Sequence, residues 1–180
     1  MRSSPGPRAV PERPTRVVLV GFMGAGKTTI GKRLARRLGY RFEDMDRRIE
    51  QREGRTVASL FAERGEAAFR ELEREEARAV AALSEVVVAT GGGAFAQEAT
   101  RAVLQQGALT VWLQCSLESA LHRVPRDGSR PLAGNREIMR ALLAEREPSY
   151  RLADVTVDTS RRTPREVVER IVEFFESVRP

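Results

Sequence analysis

The chain has little of several things that carry chemistry elsewhere. Its 180 residues include one cysteine, Cys115, one histidine, His122, one tryptophan, Trp112, and one asparagine, Asn135. A lone cysteine excludes an internal disulfide and agrees with a reducing, cytoplasmic setting. It ends the apolar run Val111-Trp112-Leu113-Gln114-Cys115, where a buried structural thiol is the expectation. Without a Cys/His cluster there is no basis for a transition-metal centre. No apolar stretch is long enough to cross a bilayer, so no membrane partner is expected. Two tyrosines, one tryptophan and the lack of an RNA- or DNA-binding motif argue against nucleic acid as a partner.

Arginine, by contrast, is abundant. It supplies almost all of the positive charge behind the formal +6. Guanidinium forks suit bidentate binding of carboxylate and phosphate, so small anions are the implied ligands. Hydrophobic residues at 41% and charged residues at 31% are ordinary for a soluble globular protein, and the length matches one domain. Residues 1–15 are rich in proline, arginine and serine and lack the apolar core of a secretory signal. Glu12 and the prolines also speak against an amphipathic transit helix. A disordered arm over 1–15 ahead of a single domain over 16–180 is therefore expected, as a monomer.

Val17-Val18-Leu19-Val20 reads as a buried strand, followed by a glycine-rich loop and a helix from Lys27 to Leu38 that Gly39 stops. Further strands are predicted at Tyr40–Phe42, Val86–Ala89, Leu109–Cys115 and Val155–Val157. Helices are predicted at Arg47–Glu53, Thr56–Glu63, Glu66–Leu83 and Pro164–Val178, with another around His122 and Arg123. Alternating strands and helices imply an α/β fold with a central parallel sheet of about five strands covered on both faces. The chemical motifs follow the first three strands, which places them on the carboxyl edge where such sheets bind ligands.

Gly21-Phe22-Met23-Gly24-Ala25-Gly26-Lys27-Thr28 satisfies G-x-x-x-x-G-K-[ST] between a predicted strand and a predicted helix. Backbone N–H groups and the helix N-terminus there meet phosphates, Lys27 reaches the β- and γ-phosphates, and the Thr28 hydroxyl coordinates Mg²⁺. The expected nucleotide-binding set is Gly24, Ala25, Gly26, Lys27, Thr28 and Thr29. GTPases read guanine with Asn-Lys-x-Asp, but Asn135 is followed by Arg136, so ATP is the expected donor.

Asp44 and Asp46 sit one residue apart at a predicted strand end. One carboxylate can serve Mg²⁺ and the other an attacking hydroxyl; alternatively, Asp46 merely caps the following helix. Arg70 lies in the charge-dense stretch Arg70-Glu71-Leu72-Glu73-Arg74-Glu75-Glu76, most of which reads as a solvated face. Glu73, one turn on, can fix the Arg70 guanidinium. Gly91-Gly92-Gly93, just past a predicted strand, reads on its own as a flexible turn.

The run Gly21 to Gly39, Asp44-x-Asp46, Gly65-Glu66-x-x-Phe69-Arg70-x-x-Glu73, Gly91-Gly92-Gly93, Arg130-Pro131-Leu132 and Arg146-x-x-x-Tyr150 resembles the shikimate kinase family in order and spacing. The resemblance covers Val17 to the end. It implies a three-layer P-loop kinase fold and transfer of the γ-phosphoryl group of ATP to the 3-hydroxyl of shikimate. Residue by residue, it implies that Arg70 and Arg146 hold the shikimate carboxylate and that Gly92 and Gly93 donate from the backbone. Asp46 would bind the ring hydroxyls and orient or deprotonate the nucleophile, and Asp44 would lie on the Mg²⁺ side.

The breaker-rich segment at about 124–135 reads as a mobile lid, and Arg130 matches the family's lid arginine. Catalytic roles are thus expected for Lys27, Asp46 and Arg130, with Arg123 and Arg162 on the ATP side. Phe61 and Phe69 match aromatics near the substrate, although core packing explains them equally. Two rivals stand beside this reading: a kinase for another hydroxy acid or a nucleoside monophosphate, and an ATP-binding module without catalysis. The second would have lost Lys27, Asp46 or Arg130, and all three are present.

Overall fold

The structure, a computed structural model, describes residues 14–123 and 135–178. Nearly all of the expected arm, and the expected lid with Arg130, lie outside the described residues.

Five strands form one all-parallel sheet: β1 (Arg16–Val20), β2 (Arg41–Asp44), β3 (Val86–Ala89), β4 (Ala108–Gln114) and β5 (Val155–Asp158), in the order β2-β3-β1-β4-β5. The central strands β1 and β3 are buried along their whole length, which is why they read as unbroken apolar runs rather than alternating ones. Pro14 and Thr15, ahead of β1, pack onto the fold. Pro14 is buried, and the Thr15 carbonyl accepts from the Glu85 N–H at 2.8 Å.

Helices cover the sheet: α1 (Lys27–Leu38), α2 (Met45–Glu53), α3 (Val57–Ala81), α4 (Glu98–Gln105), α5 (Leu117–Arg123), α6 (Arg136–Tyr150) and α7 (Pro164–Ser177). The two helices expected over 56–83 form one run whose helical geometry breaks at Gly65, with φ 77° and ψ 172°. Strand β2 begins and ends later than expected and runs straight into α2. The residue that caps α2 is consequently Asp44, whose side chain accepts from the Arg47 N–H, and not Asp46, which lies in the first turn. Helix α7 starts as the sequence indicates, with a capping box between Thr163 and Glu166 and proline at its first position.

The main core lies on both sides of the sheet and takes in Phe22, Leu34, Phe95, Trp112, Tyr150 and Phe175. A second, smaller apolar cluster of Ile49, Leu60 and Phe69, flanked by Val57, Phe61 and Leu72, packs α2 against the first half of α3. Cys115 is buried, and burial pushes its thiol pKa up, as suits a structural thiol. No described helix is long and apolar enough to cross a membrane.

Candidate active site

The loop between β1 and α1 wraps tightly. Gly21 has φ 141°, and a Cβ there would stand 2.6 Å from the Leu113 carbonyl oxygen, so only glycine fits. Gly26, left-handed at φ 92°, caps α1 and turns the first N–H groups of that helix outward, the arrangement that receives phosphate. The Lys27 ammonium donates to the carbonyls of Gly21 at 2.7 Å and Phe22 at 2.9 Å, which holds it across the mouth of the loop. Gly24 and Ala25 form the bend, and Thr28 and Thr29 are exposed on the first turn of α1.

The Thr28 hydroxyl donates to Asp44 Oδ2 at 2.8 Å. Asp44 Oδ1 meanwhile accepts from the Arg47 N–H at 3.3 Å, so capping orients the carboxylate toward the loop. A hydroxyl and a carboxylate oxygen this close fit the two protein positions of a magnesium site completed by phosphate and water. No group of three or more His, Cys, Asp or Glu residues that could hold a metal occurs among the described residues.

Beside the loop, four side chains from three helices converge on Gly91–Gly93, just past β3. A Cβ on Gly91 would stand 2.6 Å from Asp46 Oδ1 and 2.7 Å from Glu73 Oε1. One on Gly93 would stand 2.5 Å from Arg70 Nη1, and one on Gly92 would stand 3.4 Å from Arg146 Nη1 and 3.8 Å from the Met23 N. The triplet is therefore a close-approach surface rather than a loose turn.

Arg70 bonds Glu73 and, at 2.8 Å, Glu66. Its guanidinium also lies 5.7 Å and 5.9 Å from the ring centres of Phe61 and Phe69. Burial lowers the pKa of Arg70, but Glu73 and Glu66 outweigh it and the net shift is upward. Glu73 is almost completely buried, and that burial, only partly offset by Arg70, pushes its pKa up to about 6. Arg146 is buried on α6 despite its charge. Its neighbour one turn on, Tyr150, donates to the Gly92 carbonyl and bonds Arg146; burial pushes the phenol up to about 12.

On the other side of the loop, Arg123 Nη2 donates to the Thr159 carbonyl at 2.9 Å. The Thr159 hydroxyl lies 3.1 Å from the Gln114 carbonyl and 3.4 Å from that of Ala25. Arg162 is exposed just after β5 and donates to the Asp158 carbonyl. The expected residues thus form two groups, Asp46, Arg70, Gly92, Gly93 and Arg146 on one flank of the loop and Arg123 and Arg162 on the other.

Sequence reasoning assigned no role to Tyr150 or Thr159. The four-residue spacing from Arg146 places Tyr150 on the same helical face and signals the first. Nothing local signals the second, which meets Ala25 from 134 residues away.

The family model for shikimate kinase matches residues 23–176. A shikimate kinase of Moorella thermoacetica is 44% identical over 171 residues, covering 92% of this chain and 99% of that protein. A shikimate kinase of Pseudomonas entomophila is 44% identical over 168 residues, covering 91% and 98%. Among solved structures, shikimate kinase from Acinetobacter baumannii in complex with shikimate superposes with a TM-score of 0.87 at 37% identity, covering 92% of this chain and 94% of that one. Family model, sequence relatives and solved structure each cover most of the molecule, and the chain belongs to the shikimate kinase family.

Proposed function

We propose that this chain transfers the γ-phosphoryl group of MgATP to the 3-hydroxyl of shikimate, giving shikimate 3-phosphate and ADP, in the cytoplasm and as a monomer. The observation that carries the reading is the convergence of Asp46, Arg70 and Arg146 on Gly91–Gly93, next to the phosphate loop. Shikimate is a ring carboxylate bearing hydroxyls. Two guanidinium forks facing one carboxylate oxygen acceptor across an open backbone surface match those features in kind and number.

In this reading the acceptor carboxylate lies between Arg70 and Arg146. Both forks are already held, Arg70 by Glu73 and Glu66 and Arg146 by Tyr150, so little ordering remains to be done on binding. The N–H groups of Gly92 and Gly93 meet the ring. Asp46 accepts the hydrogen bond of the 3-hydroxyl, orients its oxygen toward the γ-phosphorus, and takes up the proton as the new O–P bond forms and ADP departs. Lys27 turns from the Gly21 and Phe22 carbonyls to the β- and γ-phosphates, replacing two neutral acceptors with anionic ones.

Thr28 and Asp44 would hold Mg²⁺, which when bound neutralises charge on the transferring phosphates. Gly24, Ala25, Gly26 and Thr29 supply the backbone and helix start beneath the phosphates. Arg123, braced on Thr159, and Arg162 lie toward the nucleoside, and Arg130 is assigned to the transition-state charge. Rate enhancement comes mainly from positioning and fixed charge.

The test is ADP release by purified protein with MgATP, with and without shikimate. Release should be slow alone and rise steeply when shikimate is added. No stimulation over a wide concentration range, with the fold intact, would overturn the assignment.

A further inference from the structure

Arg48 lies on α2 and is not among the residues assigned to substrate, nucleotide or metal. Its Nη1 pairs with Glu43 Oε2 at 3.0 Å, and its Nε bonds Glu76. Glu43 belongs to β2 and directly precedes Asp44. Glu76 belongs to α3, three residues past Glu73, and is 3% exposed. A single guanidinium on α2, the helix whose first turn carries Asp46, therefore ties the end of β2, beside Asp44, to the helix that carries Arg70 and Glu73. Arg52 reaches Glu76 more distantly, at 3.5 Å. Glu76 raises the pKa of Arg48, consistent with mutual stabilisation of the two charges.

The surrounding packing explains why such a clasp matters. Ala77 and Val80, in the second half of α3, belong to the main core, whereas Phe69 belongs to the small cluster shared with α2. Arg70 thus stands on the part of α3 packed apart from the main core. Glu73 and Glu76 lie at the junction, and Arg70 and Arg48 respectively hold them. Planar, fixed donor geometry lets one arginine set the distance between two carboxylates more rigidly than a rotatable ammonium.

We propose that Arg48 is a positioning residue for the acceptor site: its clasp on Glu43 and Glu76 sets the separation between Asp46 and Arg70. The inference rests on the proposed phosphorylation of shikimate. The partners of Arg48 lie on β2 and α3 and not in the phosphate loop, so its effect should fall mainly on the acceptor rather than on ATP.

The difficulty in testing this is that Arg48 also neutralises a buried carboxylate, and removing one partner of such a pair destabilises for that reason alone. A charge-balanced variant separates the two roles. Arg48→Met alone should lower Tm and raise KM for shikimate about tenfold, with KM for ATP unchanged, because misplacement on the scale of 1 Å is costly to an oriented site. In Arg48→Met/Glu76→Met the unpaired charge is gone and Tm should recover, but KM for shikimate should stay raised.

Recovery of KM together with Tm would overturn the proposal, as would an unchanged KM in the single variant. If neither methionine variant folds, Arg48→Lys carries the test. It keeps the charge but replaces the fixed two-pronged fork with a single rotatable nitrogen, so a raised KM supports the proposal and a wild-type KM refutes it. Wild-type protein inert toward shikimate would instead sink the underlying reaction, an outcome that the same assay distinguishes.

Discussion

Glu73 offers a perturbation whose sign is unusual for a carboxylate beside an arginine. Its neighbour Arg70 favours the ionised form, yet burial disfavours it more, and the pKa rises from an ordinary 4.5 to about 6. As pH climbs through 4.5 the unfolded chain releases this proton first, while the folded protein keeps it until about 6. Within that window the folded state binds more protons, so stability falls as pH rises. Below 4.5 both states are protonated and the contribution is fully present; above about 6 it is lost. A rise from 4.5 to about 6 corresponds to about 2 kcal/mol.

Glu73→Gln removes this titration while keeping every other titrating group of the chain. The stability of wild type minus that of the variant, from reversible urea unfolding, should fall by about 2 kcal/mol between pH 4 and pH 7. In thermal unfolding the same change is roughly 4–8 °C of relative Tm for a chain of this length. A difference that stays flat would mean that Glu73 titrates in the folded protein as it does in water. One that grows with pH would mean that Arg70 outweighs burial, and the assigned balance would be wrong. A carboxylate kept in place at this cost is consistent with a group retained for the site it braces.

Three further outcomes follow from the geometry. Asp46→Asn should lower turnover by about 10²–10⁴ while equilibrium binding of MgATP persists, since it removes only the proposed proton acceptor; near-normal turnover would remove its role. Gly93→Ala places a methyl group 2.5 Å from Arg70 Nη1 and should raise KM for shikimate with little change in Tm, which steady-state kinetics and a melting curve check together. Asp44→Ala should raise the Mg²⁺ concentration needed for half-maximal activity, read from a titration at fixed ATP, and should cost about 1 kcal/mol of stability through the lost cap of α2.

Much of the candidate site was legible because the phosphate loop, Asp44-x-Asp46 and Gly91–Gly93 are local motifs at strand ends. Val17–Val20 and Val86–Ala89 are buried on both faces, so they stand out as apolar runs, and the glycines after them mark where backbone must approach closely. Helix α6 was not legible, although it carries Arg146. Pro148 lies inside it and argues against a helix on propensity alone. The eight-residue α4 is short and lacks a side-chain cap. The cap of α2 was misplaced by two residues because Asp44 and Asp46 are equally good caps in sequence, and only the length of β2 decides between them. Contacts such as Thr159 with Ala25 and Arg48 with Glu76 depend on strand order and helix packing, which no local pattern encodes.

Strand order also explains why the candidate site residues fall into two groups. The phosphate loop follows β1, the middle strand of five. On one side, β3 and β2 end in Gly91–Gly93 and Asp44, adjacent because Asp44 pairs with Ala89 in the ladder. On the other side, β4 and β5 lead to Arg123, Thr159 and Arg162, stitched together where the Thr159 N–H donates to Gln114 at 2.8 Å. An acceptor held by the first group and a nucleoside held by the second approach from opposite flanks and can meet only above β1, where Lys27 stands. In-line displacement requires the attacking and leaving oxygens to flank the phosphorus, and a central loop with one ligand site on each side is a simple way for a parallel sheet to impose that alignment.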